Sequence, residues 1–164
     1  MQDAKFLEEN LPPDSVLNLV GISGGWRVDS AITTASDLYI GNDSGTLHLA
    51  AAAHLPVIYL SRVAKDRKEH FPDEPTECEI YAPWQTKYIL IQPEHQLDDC
   101  ATTKDFGGCS AITVHCIAQI DPEEIVQAFD KMNMFLQSEI KETKCPPIIR
   151  NKDQIQTILS SNLI

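Results

Sequence analysis

The sequence predicts an α/β domain: a parallel sheet with helices on both faces. Three observations carry this reading. Short apolar runs of strand length recur at residues 16–20, 37–41 and 56–60. Segments with helical spacing or helix-forming composition separate them, at 28–35 and 46–54. The connections are short, and strands alternating with helices pair in parallel through right-handed crossovers.

Taken in order, residues 4–10 read as the end of a helix that Pro12 and Pro13 stop. Residues 16–20 run apolar into Gly21 and read as a strand. Gly24 and Gly25 mark a turn. Val28, Ala31, Ile32 and Ala35 then recur at helical spacing. Residues 37–41 read as a second buried strand, Asn42-Asp43-Ser44-Gly45 as a tight turn, 46–54 as an Ala- and Leu-rich helix, and 56–60 as a third strand. The stretch 61–83 is charged, then Pro-rich, and is expected to be a long functional loop with little regular structure. Residues 87–92 suit another strand, and 93–119 show weak periodicity.

Asp121-Pro122-Glu123-Glu124 opens a helix: a capping residue, a proline in the first turn, then acids at the positive helix end. Ile125, Val126, Phe129, Met132 and Leu136 are expected to line its buried face. Residues 141–150 read as a linker, and Ile155, Ile158 and Leu159 suggest a last short helix. The organisation expected is one domain over 1–137, followed by a linker and terminal helix over 138–164. A strand at 16–20 would leave an open edge. Complete doubly wound domains usually carry two more leading strands, so the domain reads as incomplete at its start.

Composition narrows the function. A formal net charge of −11 argues against nucleic acid as a partner, because phosphate backbones need clustered Lys and Arg. It does not exclude a small anion held by a few amides and one or two bases. No apolar run approaches the roughly 20 residues that span a bilayer. The N-terminus shows no secretory pattern, and the five cysteines suit reduced thiols, so a cytoplasmic setting is expected. None of these cysteines forms a Cys-x-x-Cys pair. Cys100, Cys109, His115 and Cys116 lie close in sequence, which makes zinc a weak hypothesis and buried packing the stronger one.

The segment 37–60 is the most informative. It places Asn42-Asp43-Ser44-Gly45 between the carboxyl end of a strand and the amino end of a helix. In open parallel sheets that crevice binds ligands. Gly45 permits close backbone approach, and amides at Gly45, Thr46 and Leu47 would point at an anion along the helix dipole. The Ser44 and Thr46 hydroxyls can add hydrogen bonds, and His48 shares their helix face. Asp43 would repel a phosphate but could accept from sugar hydroxyls. The plainer alternatives stay open: Ser44 as an ordinary N-cap, and His48 as a satisfied, half-buried histidine.

The run Asp43-Ser44-Gly45-Thr46-Leu47-His48-Leu49-Ala50-Ala51-Ala52 resembles the hallmark of glycosyltransferase family 9, the lipopolysaccharide heptosyltransferases. That hallmark is an acid, Ser or Thr, Gly, two spacers, His and an Ala-rich helix. The order of segments is similar over residues 5–137, including Pro56-Val57-Ile58, the cysteines at 100, 109 and 116, and Ile120-Asp121-Pro122-Glu123-Glu124-Ile125. The resemblance implies a partial, Rossmann-like C-terminal domain of a GT-B glycosyltransferase. It implies an ADP-heptose-like nucleotide-diphosphate sugar as donor and a saccharide or lipid-linked acceptor, with possible peripheral association with the inner membrane. It implies no metal and no cofactor. Ser44 and Gly45 would contact the diphosphate, Asp43 would hold the sugar, and His48 would support either. The general base and acceptor site would belong to a preceding domain. A nucleotide-sugar epimerase of the same architecture and a non-catalytic binding module are the competing readings. One departure stands out: Ser61-Arg62-Val63 replaces the family's Gly-Pro-Thr-like turn. It begins a basic cluster of Arg62, Lys65, Arg67 and Lys68, which could contact a phosphate or the acceptor, a solvated loop being the default. Tyr81 and Trp84 could stack on a ring, packing being the default for them.

Overall fold

The structure, a computed structural model, describes residues 2–12, 15–21, 25–97 and 116–143. Three strands, β1 (Tyr39–Asn42), β2 (Val57–Leu60) and β3 (Tyr88–Ile91), form a parallel sheet in the order β1-β2-β3. Tyr39 pairs with Val57 and Ile58 with Ile89. The helices are α1 (Gln2–Asn10), α2 (Gly25–Thr34), α3 (Gly45–Ala52), one-turn α4 (Arg67–His70) and α5 (Glu77–Ile80), and α6 (Pro122–Thr143). A 3₁₀ turn at Ile117–Gln119 precedes α6.

Alternation along the middle strand separates two cores. Val57 and Tyr59 face α3, where Leu47, Ala50, Leu55, Val63 and Cys78 close around them. Ile58 faces the other way, onto Ile91, Ile120 and Ala128 of the α6 side. Helices therefore cover both faces, as expected, and β2 is apolar throughout because both its faces are buried.

The run at 16–20 is not a strand. Asn18 disrupts it: its Oδ1 accepts from the amide of Val20 at 2.9 Å, and its Nδ2 donates to Glu8 at 3.1 Å. An Asx-type turn thus takes the backbone out of pairing geometry, leaving Val20 exposed. β1 is the sheet edge on that side.

The stretch 61–83 is also more ordered than its composition suggested. A capping box starts α5: Thr76 Oγ1 accepts from the Glu79 amide, and the Glu79 carboxylate accepts from the Thr76 amide. Lys68 reaches the same carboxylate at 2.9 Å. The buried Ser61 hydroxyl lies 2.9 Å from Cys78 Sγ. On α6 the buried stripe is Ala128 and Met132, with Ile125 and Leu136 half-buried. Val126 and Phe129 are exposed, which corrects their expected place in the core. They sit one position off the stripe with which α6 packs on β2 and β3. α6 continues past residue 137 to Thr143. Residues 144–164, with the expected linker remainder and last helix, lie outside the described residues, as do Cys100, Cys109 and His115.

α3 ends two residues before the 54 expected, in a Schellman arrangement. His54 N donates to Ala51 O and Leu55 N to Ala50 O, both at 2.9 Å. His54 holds φ 54°, a left-handed conformation that glycine adopts without a Cβ penalty. Substituting His54→Gly is expected to stabilise the fold by about 0.5–1 kcal/mol, net of the extra unfolded-chain entropy. A thermal melt should show a rise in Tm; a fall would mean that the 3.4 Å contact of His54 Nδ1 with Gln85 O matters more than the strain.

Candidate functional site

The carboxyl ends of β1 and β2 emerge side by side, with Asn42 paired to Leu60. From β1 the chain turns through Asp43 and Ser44 directly into α3, so all five expected site residues lie at this bend. α3 is held there from beneath: Leu47, Ala50 and Ala51 are buried against the sheet, and His48 is left exposed on the outer face.

Ser44 has extended backbone geometry, φ −162° and ψ 169°, but its side chain makes no capping bond to the helix. Its hydroxyl instead lies 2.7 Å from Thr46 Oγ1 and 3.3 Å from the Tyr39 hydroxyl, which in turn lies 3.1 Å from Thr46 Oγ1. The ordinary N-cap explanation of Ser44 does not describe this arrangement. Three hydroxyls meet beside the helix start, each able to donate or accept. Gly41 makes this possible. A Cβ there would stand 2.5 Å from the Tyr39 hydroxyl, so the missing side chain is the space Tyr39 uses. The strand over 37–41 was expected to contain Tyr39 but not to bring it into the site; a Tyr-x-Gly pair on one strand face, ahead of Ser and Thr, is the signal that marks it.

Gly45 also departs from expectation. A Cβ on it would collide with the indole ring of Trp26, on α2. The space was expected for a phosphate approaching the backbone; on the α2 side it is taken by packing. Trp26 is otherwise 65% exposed. Approach to the bend is left to the side of Asp43. The Asp43 carboxylate lies 3.8 Å from His48 Nε2, a loose pairing at the surface.

Asp43 is the link to a neighbouring cleft of about 360 Å³, within the range of ~300–1,000 Å³ typical of small-molecule sites. Asn42 and Asp43 from the end of β1 line it, with Tyr59 to Arg62 from the end of β2, Glu77 and Tyr81 at α5, and Ile117. Ser44, Gly45, Thr46 and His48 lie outside this lining. Arg62 is exposed in the loop after β2, as its charge pattern suggested, and it is also paired: its Nε and Nη2 donate to the two carboxylate oxygens of Glu77, at 3.2 and 2.7 Å. The other three bases of the cluster stay outside the cleft, with Lys65 on Glu94, Lys68 on Glu79 and Arg67 over the Phe71 ring. Burial pushes the Cys78 thiol and the Tyr59 phenol above their ordinary ranges, so both remain protonated and uncharged at neutral pH. Trp84 is exposed and does not line the cleft. Cys116 is half-buried.

Among the described residues no cluster of three or more His, Cys, Asp or Glu side chains could hold a metal, and no described helix is long and apolar enough to cross a membrane. No family model, curated protein or solved structure matches the chain. The functional reading rests on the residues of the bend and cleft themselves.

Proposed function

We propose that this chain is the donor-binding part of a sugar-nucleotide-dependent glycosyltransferase. Its sheet would be part of a Rossmann-like C-terminal domain of GT-B architecture, resembling the heptosyltransferases. The observation that carries the reading is the position of Asp43-Ser44-Gly45-Thr46-x-His48: at the carboxyl edge of a parallel sheet, at the start of α3, and beside an open cleft. The Leu47 amide, expected to point at the anion, already donates to Ser44 O at 3.0 Å, so in this reading the amides of Gly45 and Thr46, with the Ser44 and Thr46 hydroxyls, hold the diphosphate. Asp43, lining the cleft, accepts from hydroxyls of the sugar. His48 stands behind Asp43 and can donate to a phosphate oxygen or steady the carboxylate.

Transfer would be a direct displacement. The acceptor oxygen attacks the anomeric carbon, its proton goes to a base outside this chain, and the nucleoside diphosphate departs with the bonding electrons. Preorganised donors at α3 stabilise the charge that develops on the departing diphosphate. An ADP-linked, heptose-like donor and a saccharide or lipid-linked acceptor at the cytoplasmic face of the inner membrane complete the proposal.

The test is a calorimetric titration of the chain with an ADP-sugar and with inorganic pyrophosphate. Weak binding of both is expected, because a helix end and two hydroxyls act there against the nearby Asp43 charge. Replacing Ser44 and Thr46 together by Ala should weaken pyrophosphate about tenfold or more, since hydrogen bonds to charged groups contribute roughly 1.5–3 kcal/mol each. No binding by the unsubstituted chain, or an affinity indifferent to the double substitution, sinks the reading.

A further inference from the structure

The cleft has one basic side chain among its described lining residues, Arg62, and it is oriented. Glu77 grips the Nε–Nη2 edge of the guanidinium through both carboxylate oxygens, and Glu77 itself is only 11% exposed. α5, which carries Glu77, is fixed in turn by the Thr76–Glu79 capping box and by Lys68. Arg62 lies two positions past the end of β2 and Asp43 one past the end of the neighbouring β1, and both line the cleft. The guanidinium therefore borders the same cleft as the first residue of the bend. Asp43, Glu77 and Arg62 together carry one net negative charge there. An empty cleft with that balance repels anions unless the guanidinium can turn part of its donor set from Glu77 to the ligand.

We infer that Arg62 is a phosphate-docking residue for the ligand seated at the β1–α3 bend, and that Glu77 is the internal counter-ion with which the phosphate competes. The inference rests on the proposed diphosphate seat. It assigns to the chain a cation for that seat, drawn from the neighbouring strand. The planar fork that matches a carboxylate matches a phosphate equally well. Glu77 thus holds the guanidinium in place while the site is empty, and the pair loosens as the anion arrives.

The experiment is pyrophosphate titration of the chain and its Arg62→Ala, Arg62→Lys and Glu77→Gln variants at low and high NaCl, with a thermal melt of each. Arg62→Ala should weaken binding about tenfold and flatten its dependence on salt. Arg62→Lys should fall between, keeping the charge and losing the fork. Glu77→Gln should strengthen binding about threefold or more, by removing the competing carboxylate. Opposite signs for Arg62→Ala and Glu77→Gln support the inference. A purely structural pair would make both variants weaken binding together, and that result, or no change in either, overturns it. Should Arg62→Ala fail to fold, the lysine and glutamine variants decide by the same rule. Sensitivity to Ser44 and Thr46 with indifference to Arg62 leaves the seat standing and removes Arg62 from it. The reverse pattern keeps Arg62 and removes the seat, and an unsubstituted chain that binds nothing overturns both.

Discussion

Replacing Leu47 by Ala is expected to lower the stability of the fold by about 3 kcal/mol, the usual order for a leucine truncated in a core that cannot collapse around the gap. Leu47 has no exposed surface and packs in one cluster with Val57, Tyr59 and Cys78. It lies in the first turn of α3, so it is also the contact that pins the bend to the sheet. Total stabilities of small domains are only about 5–15 kcal/mol, and the loss should appear as a fall in Tm of roughly 10 °C. His48 is the control on the same helix: its side chain is 49% exposed, and His48→Ala should change stability by less than about 0.5 kcal/mol. Urea denaturation of the two variants reads the contrast. Equal effects would mean that α3 is not seated through this face, and the geometry of the bend would fall with it.

What could be read from the sequence follows the range of the forces involved. The order strand–helix–strand around residues 37–60 was legible because each element announces itself locally: an apolar β2 buried on both faces, an Ala-rich α3, and turn residues between them. The location of the bend at a parallel sheet's carboxyl edge followed from that order. The failure at 16–20 has the same origin in reverse. An apolar run looks like a strand, but the Asn18 side chain offers the backbone a competing hydrogen bond, and composition counts cannot weigh that. In the cleft, Arg62 and Tyr81 stood out by residue type, but the pairing of Arg62 with Glu77 was not legible. Arg62 and Glu77 are 15 positions apart, in a stretch whose prolines and charges read as loop, and only the folded chain brings the two together. Trp26 and Gly45 are likewise coupled only through the packing of α2 on α3. The glycine looked like a residue kept small for a ligand, and it is at least partly one kept small for an indole.

Asp43 allows the two parts of the site to be separated by the sign of an effect. It lines the cleft, and its carboxylate stands 3.8 Å from His48 Nε2, at the start of the helix that would hold the phosphates. Towards a sugar it is an acceptor: two hydroxyl hydrogen bonds to a carboxylate contribute together about 3 kcal/mol or more. Towards a phosphate it is a like charge, partly screened because a third of its side chain is open to solvent. Asp43→Ala should therefore weaken an ADP-sugar on the order of a hundredfold, and leave inorganic pyrophosphate unchanged or bound somewhat more tightly. Titrating both ligands against the same preparation removes any ambiguity from partial unfolding, which would weaken both. A loss of pyrophosphate binding equal to the loss of the ADP-sugar would show Asp43 acting only by ordering the bend. Unchanged affinity for the sugar nucleotide would place the sugar away from the cleft. The predicted divergence requires that one residue borders both proposed seats; Asp43 is the first position after β1, beside the start of α3, and lines the cleft with Arg62 and Glu77.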